Sequence, residues 1–220
     1  MKDIRHFESM SMKKRSTIKL ESPKIMKGII FVTFLIFIFS QVTLADDKAV
    51  VQNLLKEKID SIIATLKNKD LDDSGKKKGL EDIIKPIMNF NLMSMLVLGK
   101  EPWTSLAKED QKRFIELFTG TIEETLLSKL LNYADEDIVI EASDQINKKK
   151  VNVSTSIVSK EQKTSVLYKF YQSGAEWKIY DVEIEGVSIL KNFRAQFSDS
   201  LQDMTAKELI SKMEKSNSAQ

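Results

Sequence analysis

The chain of 220 residues reads as an α+β domain, with N-terminal helices packed on a C-terminal antiparallel sheet of about four strands and further helices after it. Three observations predict this. Across residues 49–133 apolar side chains recur every three or four positions, the helical period, whereas across 137–185 they alternate in four short runs, the strand period. Short polar loops separate those runs, so consecutive strands pair as an antiparallel meander. After Gly186 the helical period returns. Helices segregated from a contiguous antiparallel run should cover one concave face of the sheet.

Residues 49–66 carry Val50, Leu54, Ile59, Ile62, Ile63 and Leu66, a helical stripe. The polar KNKDLDDSGKKKG that follows is a loop. Within it, GKKKG lacks the Gly-x4-Gly-Lys-Ser/Thr spacing of a phosphate loop and reads as an exposed helix start. Residues 80–88 form a second helix, bent or started by Pro86. The nearly all-apolar NFNLMSMLVLGK, residues 89–100, is a short helix stopped at Gly99, and Pro102-Trp103 is a turn. A long helix over 108–133 then carries Phe114, Phe118, Ile122, Leu126, Leu130 and Tyr133, with a kink expected near Gly120.

The strands fall at 137–142, 150–158, 164–171 and 177–185, joined by SDQINKK, SKEQK and QSGAE. Alternation makes three apolar ribs: Val151, Val153, Thr155 and Ile157; Val166, Tyr168 and Phe170; Tyr180, Val182 and Ile184. Trp177 and Ile179 fall on the opposite face from Tyr180, which requires either a bulge or a second covering layer. Beyond Gly186, Ser188 is placed to cap a helix whose stripe is Leu190, Phe193, Phe197 and Leu201.

Residues 28–45, GIIFVTFLIFIFSQVTLA, follow Lys24 and Lys27 and end in small residues, the pattern of a secretory signal peptide. The strongly apolar part is about half of the roughly 20 residues a membrane span needs. Cleavage is therefore expected after Ala45, leaving residues 46–220 as a single domain. Residues 1–25 have no hydrophobic pattern, so Met26 is the expected true start. No cysteine is present to make a lipoprotein. Residues 1–45 hold 8 of the 34 basic and 3 of the 32 acidic residues, leaving 26 and 29 and a net charge of about −3. The basic pI thus belongs to the leader, and no basic face argues for nucleic acid.

The only histidine, His6, goes with the leader. Without His or Cys there is no triad nucleophile, no ordinary zinc site and no thiol redox pair. An enzyme would rest on carboxylates, yet those at 70–73 and 135–137 and at Asp181, Glu183 and Glu185 are scattered or face away from the apolar ribs. No catalytic residue, metal ligand or cofactor is assigned.

Two segments, LGKEPWTSLAKEDQKRFIELFTGTIEETLLSKLLNY (98–133) and YKFYQSGAEWKIYDVEIEGVSILKNFRAQFSDSL (168–201), together resemble the MlaC family. These are periplasmic phospholipid-binding proteins, also of toluene-tolerance type, of the system that maintains outer-membrane lipid asymmetry. The matching positions are Leu98, Gly99, Trp103, Phe114 and Phe118, then Trp177, Tyr180, Asp181, Val182, Gly186, Val187, Ser188, Asn192, Phe193 and Arg194. Phe193 stands where the family usually has Tyr. The resemblance covers about residues 48–213.

It implies a soluble monomeric carrier that holds phospholipid as cargo in an apolar cavity between sheet and helices. Its partners would be an inner-membrane ABC lipid transporter complex and an outer-membrane lipoprotein complex. One tail of about 15 methylenes gains roughly 12 kcal/mol on leaving water, at about 0.8 kcal/mol per methylene, so a carrier needs an interior of similar quality. The expected tail contacts are Val153, Ile157, Tyr168, Phe170, Tyr180, Val182, Ile184, Phe193 and Phe197, with Met93, Leu96 and Phe118 from the helical side. Gly186 would make the tight turn that aims them. Arg194 would meet a phosphate at the mouth, or else pair with Asp181 or Asp199. The competing reading is a non-catalytic interaction module whose apolar ribs are core alone.

Overall fold

The computed structural model describes residues 46–131, 136–160 and 162–217. The leader, its expected cleavage site, Tyr133 and the last three residues lie outside the described residues. Helix α1, Asp47–Lys67, starts where the Asp46 carboxylate accepts from the Lys48 amide, and it buries Val51, Leu55, Ile59 and Leu66. Helix α2, Asp73–Ile87, begins before residue 80: Asp72 caps it by accepting from the Gly75 amide at 2.7 Å, so GKKKG lies in the exposed start of a helix, as its reading against a phosphate loop expects, and the loop ends before it. Glycine is a poor helix former, but Gly79 lets the two helices touch. A Cβ there would lie 2.9 Å from Thr65 Cγ2 of α1. Pro86 falls in the last turn of α2 and neither starts nor splits it.

Helix α3, Phe90–Leu98, is capped by Asn89 and ends at Gly99 with φ of 86°, as the apolar run and its glycine indicate. The Pro102-Trp103 turn is instead part of a short helix α4, Lys100–Ser105. Proline in a first turn removes no intrahelical hydrogen bond. Helix α5, Lys108–Leu130, runs unbroken through Gly120.

Five strands rather than four form one antiparallel sheet in the order β1-β2-β3-β4-β5. They are β1 (Asp137–Asn147), β2 (Lys150–Val158), β3 (Lys163–Ser173), β4 (Glu176–Ile184) and β5 (Val187–Ser188). Most of the expected SDQINKK loop is strand, because β1 absorbs its polar residues on an exposed edge with two register shifts. The first two ribs pair as read: Val151 opposite Phe170, Val153 opposite Tyr168, Thr155 opposite Val166. The third is interrupted. Between β3 and β4 the register slips, with Lys169 opposite Asp181 but Phe170 opposite Ile179, so Tyr180 is the extra residue of a bulge. That brings Trp177 and Ile179 onto the same face as Val182 and Ile184.

Glu185 and Gly186, with φ of 51° and 77°, make a two-residue turn of the kind that suits a right-twisted hairpin. It returns the chain as β5 and delivers it into α6, Ile189–Asp203, with Ser188 as N-cap. Helix α7, Ala206–Asn217, opens on a capping box in which Thr205 Oγ1 accepts from the Glu208 amide and the Glu208 carboxylate accepts from the Thr205 amide.

The helices divide into two groups. α1 lies on β1 and β2 and against α2, which reaches β4, while α3, α5, α6 and α7 pack together. The α2–α3 junction ties the groups to the sheet: Met88 bridges Ile179, and the Asn89 amide donates to the Ile179 carbonyl at 2.8 Å.

Candidate functional site

At one end of the sheet a cavity of about 110 Å³ opens between the strands and the helices. Its floor is Ile138, Ile157, Val166, Tyr168, Val182 and Ile184, with Ile179 beside them. Its walls are aliphatic: Leu55, Ile59, Ile62, Ile63 and Leu66 from α1, Ile83, Ile84, Ile87 and then Met88 from the α2 end, and Leu126 and Leu130 from α5. Among the described residues the charged side chains on the lining are Lys58 and Lys129, and no carboxylate reaches it. Desolvation pushes the Tyr168 phenol up to about 12, partly offset by a hydrogen bond with Thr155, so it stays neutral and able to donate.

Of the expected contacts, the structure brings Ile157, Tyr168, Val182 and Ile184 together on this cavity. Others fall elsewhere. Val153 and Phe170, opposite the cavity-lining Tyr168 and Ile179, are fully buried and do not line the cavity; Gln52 of α1 accepts a hydrogen bond from Ser143, the β1 partner of Val153. Tyr180, displaced by the bulge, turns to the other face and meets the Tyr171 ring at 6.5 Å, with Lys150 Nζ 5.4 Å from its centroid. Phe118, Phe193 and Phe197 leave the cavity for an aromatic cluster with Phe114, whose ring centroids stand 5.4–6.1 Å apart. Met93 is buried and Leu96 half-buried on α3, which packs against α5 and α6. Arg194 is exposed, does not line the cavity and has no ion pair among the described residues. These nine positions do not line the cavity in this structure, and the difference has a common cause: periodicity reports that a residue is buried, not what it is buried against.

Sequence reasoning missed most of the helical wall. The signal was present in α1, where Ile59, Ile62, Ile63 and Leu66 crowd one face, but an aliphatic stripe looks the same whether it meets core or cavity. Lys58 and Lys129 gave no signal among so many lysines.

The acidic face of β4 is not the solvated surface it resembles in sequence. Asp181 is buried and accepts from Ser188 Oγ at 2.9 Å and from the Leu190 amide at 3.2 Å, at the positive N-terminus of α6. Lys169 reaches Asp181 at 3.2 Å and also pairs with Glu183. Desolvation is the largest influence on the Lys169 ammonium and lowers its pKa, yet hydrogen bonds and charge from Glu183 and Asp181 together raise it. The cluster is a clasp that fixes where α6 starts.

With cavity and clasp in view, comparison with known proteins is decisive. The family model described as MlaC protein matches residues 56–215. The chain belongs to the MlaC family. It is 28% identical over 138 residues to the intermembrane phospholipid transport system binding protein MlaC of Haemophilus influenzae, covering 60% of this chain and 64% of that one. It is 25% identical over 124 residues to the toluene tolerance protein ttg2D of Pseudomonas putida, covering 56% and 58%. The chain thus matches about three fifths of the length of these curated relatives. A solved phospholipid-binding protein from Ralstonia solanacearum, in complex with a phospholipid, shares the fold with a TM-score of 0.68 at 21% identity, over 80% of this chain and 98% of that one. The MlaC motif WKIYDVEIEGVS coincides with the bulge, the clasp and the hairpin, so its Asp181 and Ser188 are architectural residues in this chain.

Proposed function

We propose that this MlaC-family protein is a periplasmic phospholipid carrier, holding acyl chains in the cavity between sheet and helices and passing lipid between inner- and outer-membrane complexes. The single observation that carries the reading is the cavity lining, predominantly aliphatic and, among the described residues, free of carboxylates. Such a wall offers an acyl chain the environment it loses on leaving a membrane, and among the described residues it offers no pair of carboxylates for acid–base chemistry. The names of the relatives agree with it. Among the described residues no helix is long and apolar enough to cross a membrane.

An apolar cavity near 150 Å³ admits benzene, so one of about 110 Å³ takes part of a chain and must widen for a whole lipid. α1 and the end of α5 are the walls able to yield, since Ile62, Ile63, Leu126 and Leu130 are only partly buried. The test is extraction of purified protein spanning residues 46–220 with organic solvent, followed by mass spectrometry. Glycerophospholipid at about one molecule per chain is expected; no recovered lipid and no uptake of a fluorescent analogue would return the cavity to core.

A further inference from the structure

We propose that Ile87 is the stop at the closed end of the cavity, the residue that limits how much of an acyl chain the protein takes in. This rests on the carrier reading above and adds what sets the chain length that the carrier accepts. Burial orders the cavity from mouth to end. Ile62, Ile63, Leu126, Leu130 and Ile138 are only partly buried, whereas Leu55, Ile87, Met88 and Ile179 are buried. A chain that enters where the walls yield meets Ile87 with its methyl end.

Behind Ile87 lies a second space, a groove of about 300 Å³ between α1, the end of α2 and the β3–β4 hairpin. Val50, Leu54, Pro86 and Trp177 line it, together with Lys178 and Glu176, which pair at 3.0 Å. The groove and the cavity stand back to back. Each of three elements gives neighbouring residues to both: α1 gives Leu54 to the groove and Leu55 to the cavity, the α2 end gives Pro86 and Met88, and β4 gives Trp177 and Ile179. Trp177 and Ile179 share a face of β4 two residues apart, about 7 Å, so the apolar floor runs on beneath the partition. Two side chains, Ile87 and Lys58, line both spaces. Lys58 is a long flexible chain whose ammonium belongs in water. Ile87 is the fixed barrier: it is branched at Cβ and held to few rotamers, and the chain beside it is pinned where Met88 bridges Ile179 and the Asn89 amide donates to the Ile179 carbonyl at 2.8 Å. A chain that reaches Ile87 leaves any further methylenes uncovered at the mouth. Trimming Ile87 joins cavity to groove and gives those methylenes a place.

The experiment loads delipidated wild type, Ile87→Val and Ile87→Ala, the last two with and without Val50→Trp, from vesicles holding equal amounts of dilauroyl-, dimyristoyl-, dipalmitoyl- and distearoyl-phosphatidylcholine. Bound lipid is read by mass spectrometry after repurification. Each variant is compared with wild type on the same vesicles, so the ease with which a lipid leaves the bilayer cancels. Ile87→Ala should shift the load toward longer chains, by about fourfold in the ratio for each methylene newly covered. Ile87→Val, one methylene smaller, should shift it the same way by less, and it decides alone where the alanine variant does not fold. Val50→Trp fills the groove from its exposed side and should return either distribution to that of wild type. A wild-type distribution in the folded Ile87 variants overturns the stop and leaves the carrier intact. A long-chain shift that survives Val50→Trp overturns the groove as the continuation of the cavity. Wild type that takes up no lipid overturns stop and carrier together.

Discussion

Val153 and Ile157 share one face of β2, four positions apart, and meet different surroundings. Val153 is fully buried where α1 crosses the sheet, whereas Ile157 lines the cavity. Tryptophan separates the two environments. Val153→Trp should overpack and cost about 1–3 kcal/mol, visible as a lower melting temperature in delipidated protein. Ile157→Trp should project its added atoms into the cavity, keep the delipidated melting temperature near wild type and lose most bound lipid. Equal destabilisation by both would mean that the cavity is ordinary core. Tyr168 allows a second residue-level check through pH. Its phenol ionises near 10 when unfolded and is pushed up to about 12 in the fold. The folded state then holds a proton that the unfolded state has released, so stability is lost as pH rises from about 10 to 12. Tyr168→Phe should flatten that alkaline limb in denaturation curves and change little at neutral pH.

The element whose placement depends most on single groups is α6. Its first turn is held by Ser188, which caps the Lys191 amide at 3.0 Å and donates to the buried Asp181. Ser188→Ala removes the cap and leaves Asp181 short of a partner, at a cost of about 1–3 kcal/mol measurable by urea denaturation. A change within a few tenths would show that α6 is positioned by the aromatic cluster alone. This helix also shows how much was legible in the sequence. The switch from alternation to helical period at Gly186, and the cap at Ser188, stand as read. The face of Tyr180 does not, because one inserted bulge residue reverses the phase on one side of it. The sign of the bulge lay in the sequence, in Trp177 and Ile179 being apolar out of step, but phase alone cannot say which side is reversed. The start of α2 was hidden for a different reason. Gly75 and Gly79 argue against helix by propensity, and only the close approach to Thr65 explains why glycine stands there.

At the scale of the whole molecule the chain has a fixed part and a yielding part. Asp46 caps α1, so cleavage after Ala45 would leave the domain's first helix complete; N-terminal sequencing of the exported protein should begin at Asp46. The fixed part is the group of α3, α5 and α6 around the Phe114, Phe118, Phe193 and Phe197 rings, where Phe114 and Phe118 are fully buried and leave little room for motion. The yielding part is α1 with the last turns of α5, whose partly buried Ile62, Ile63, Leu126 and Leu130 border the cavity. Local opening is easiest where few apolar contacts are closed, and a ligand that fills the cavity supplies the missing contacts and favours the state that holds it. Hydrogen exchange on delipidated protein should therefore be faster in the second half of α1 and the end of α5 than in the first half of α5 and in α6. Reloading with phosphatidylcholine should protect the fast segments and leave the aromatic group unchanged. Uniform protection across all the helices would instead mean that lipid stabilises the fold globally, and that cargo entry is not the work of these two walls.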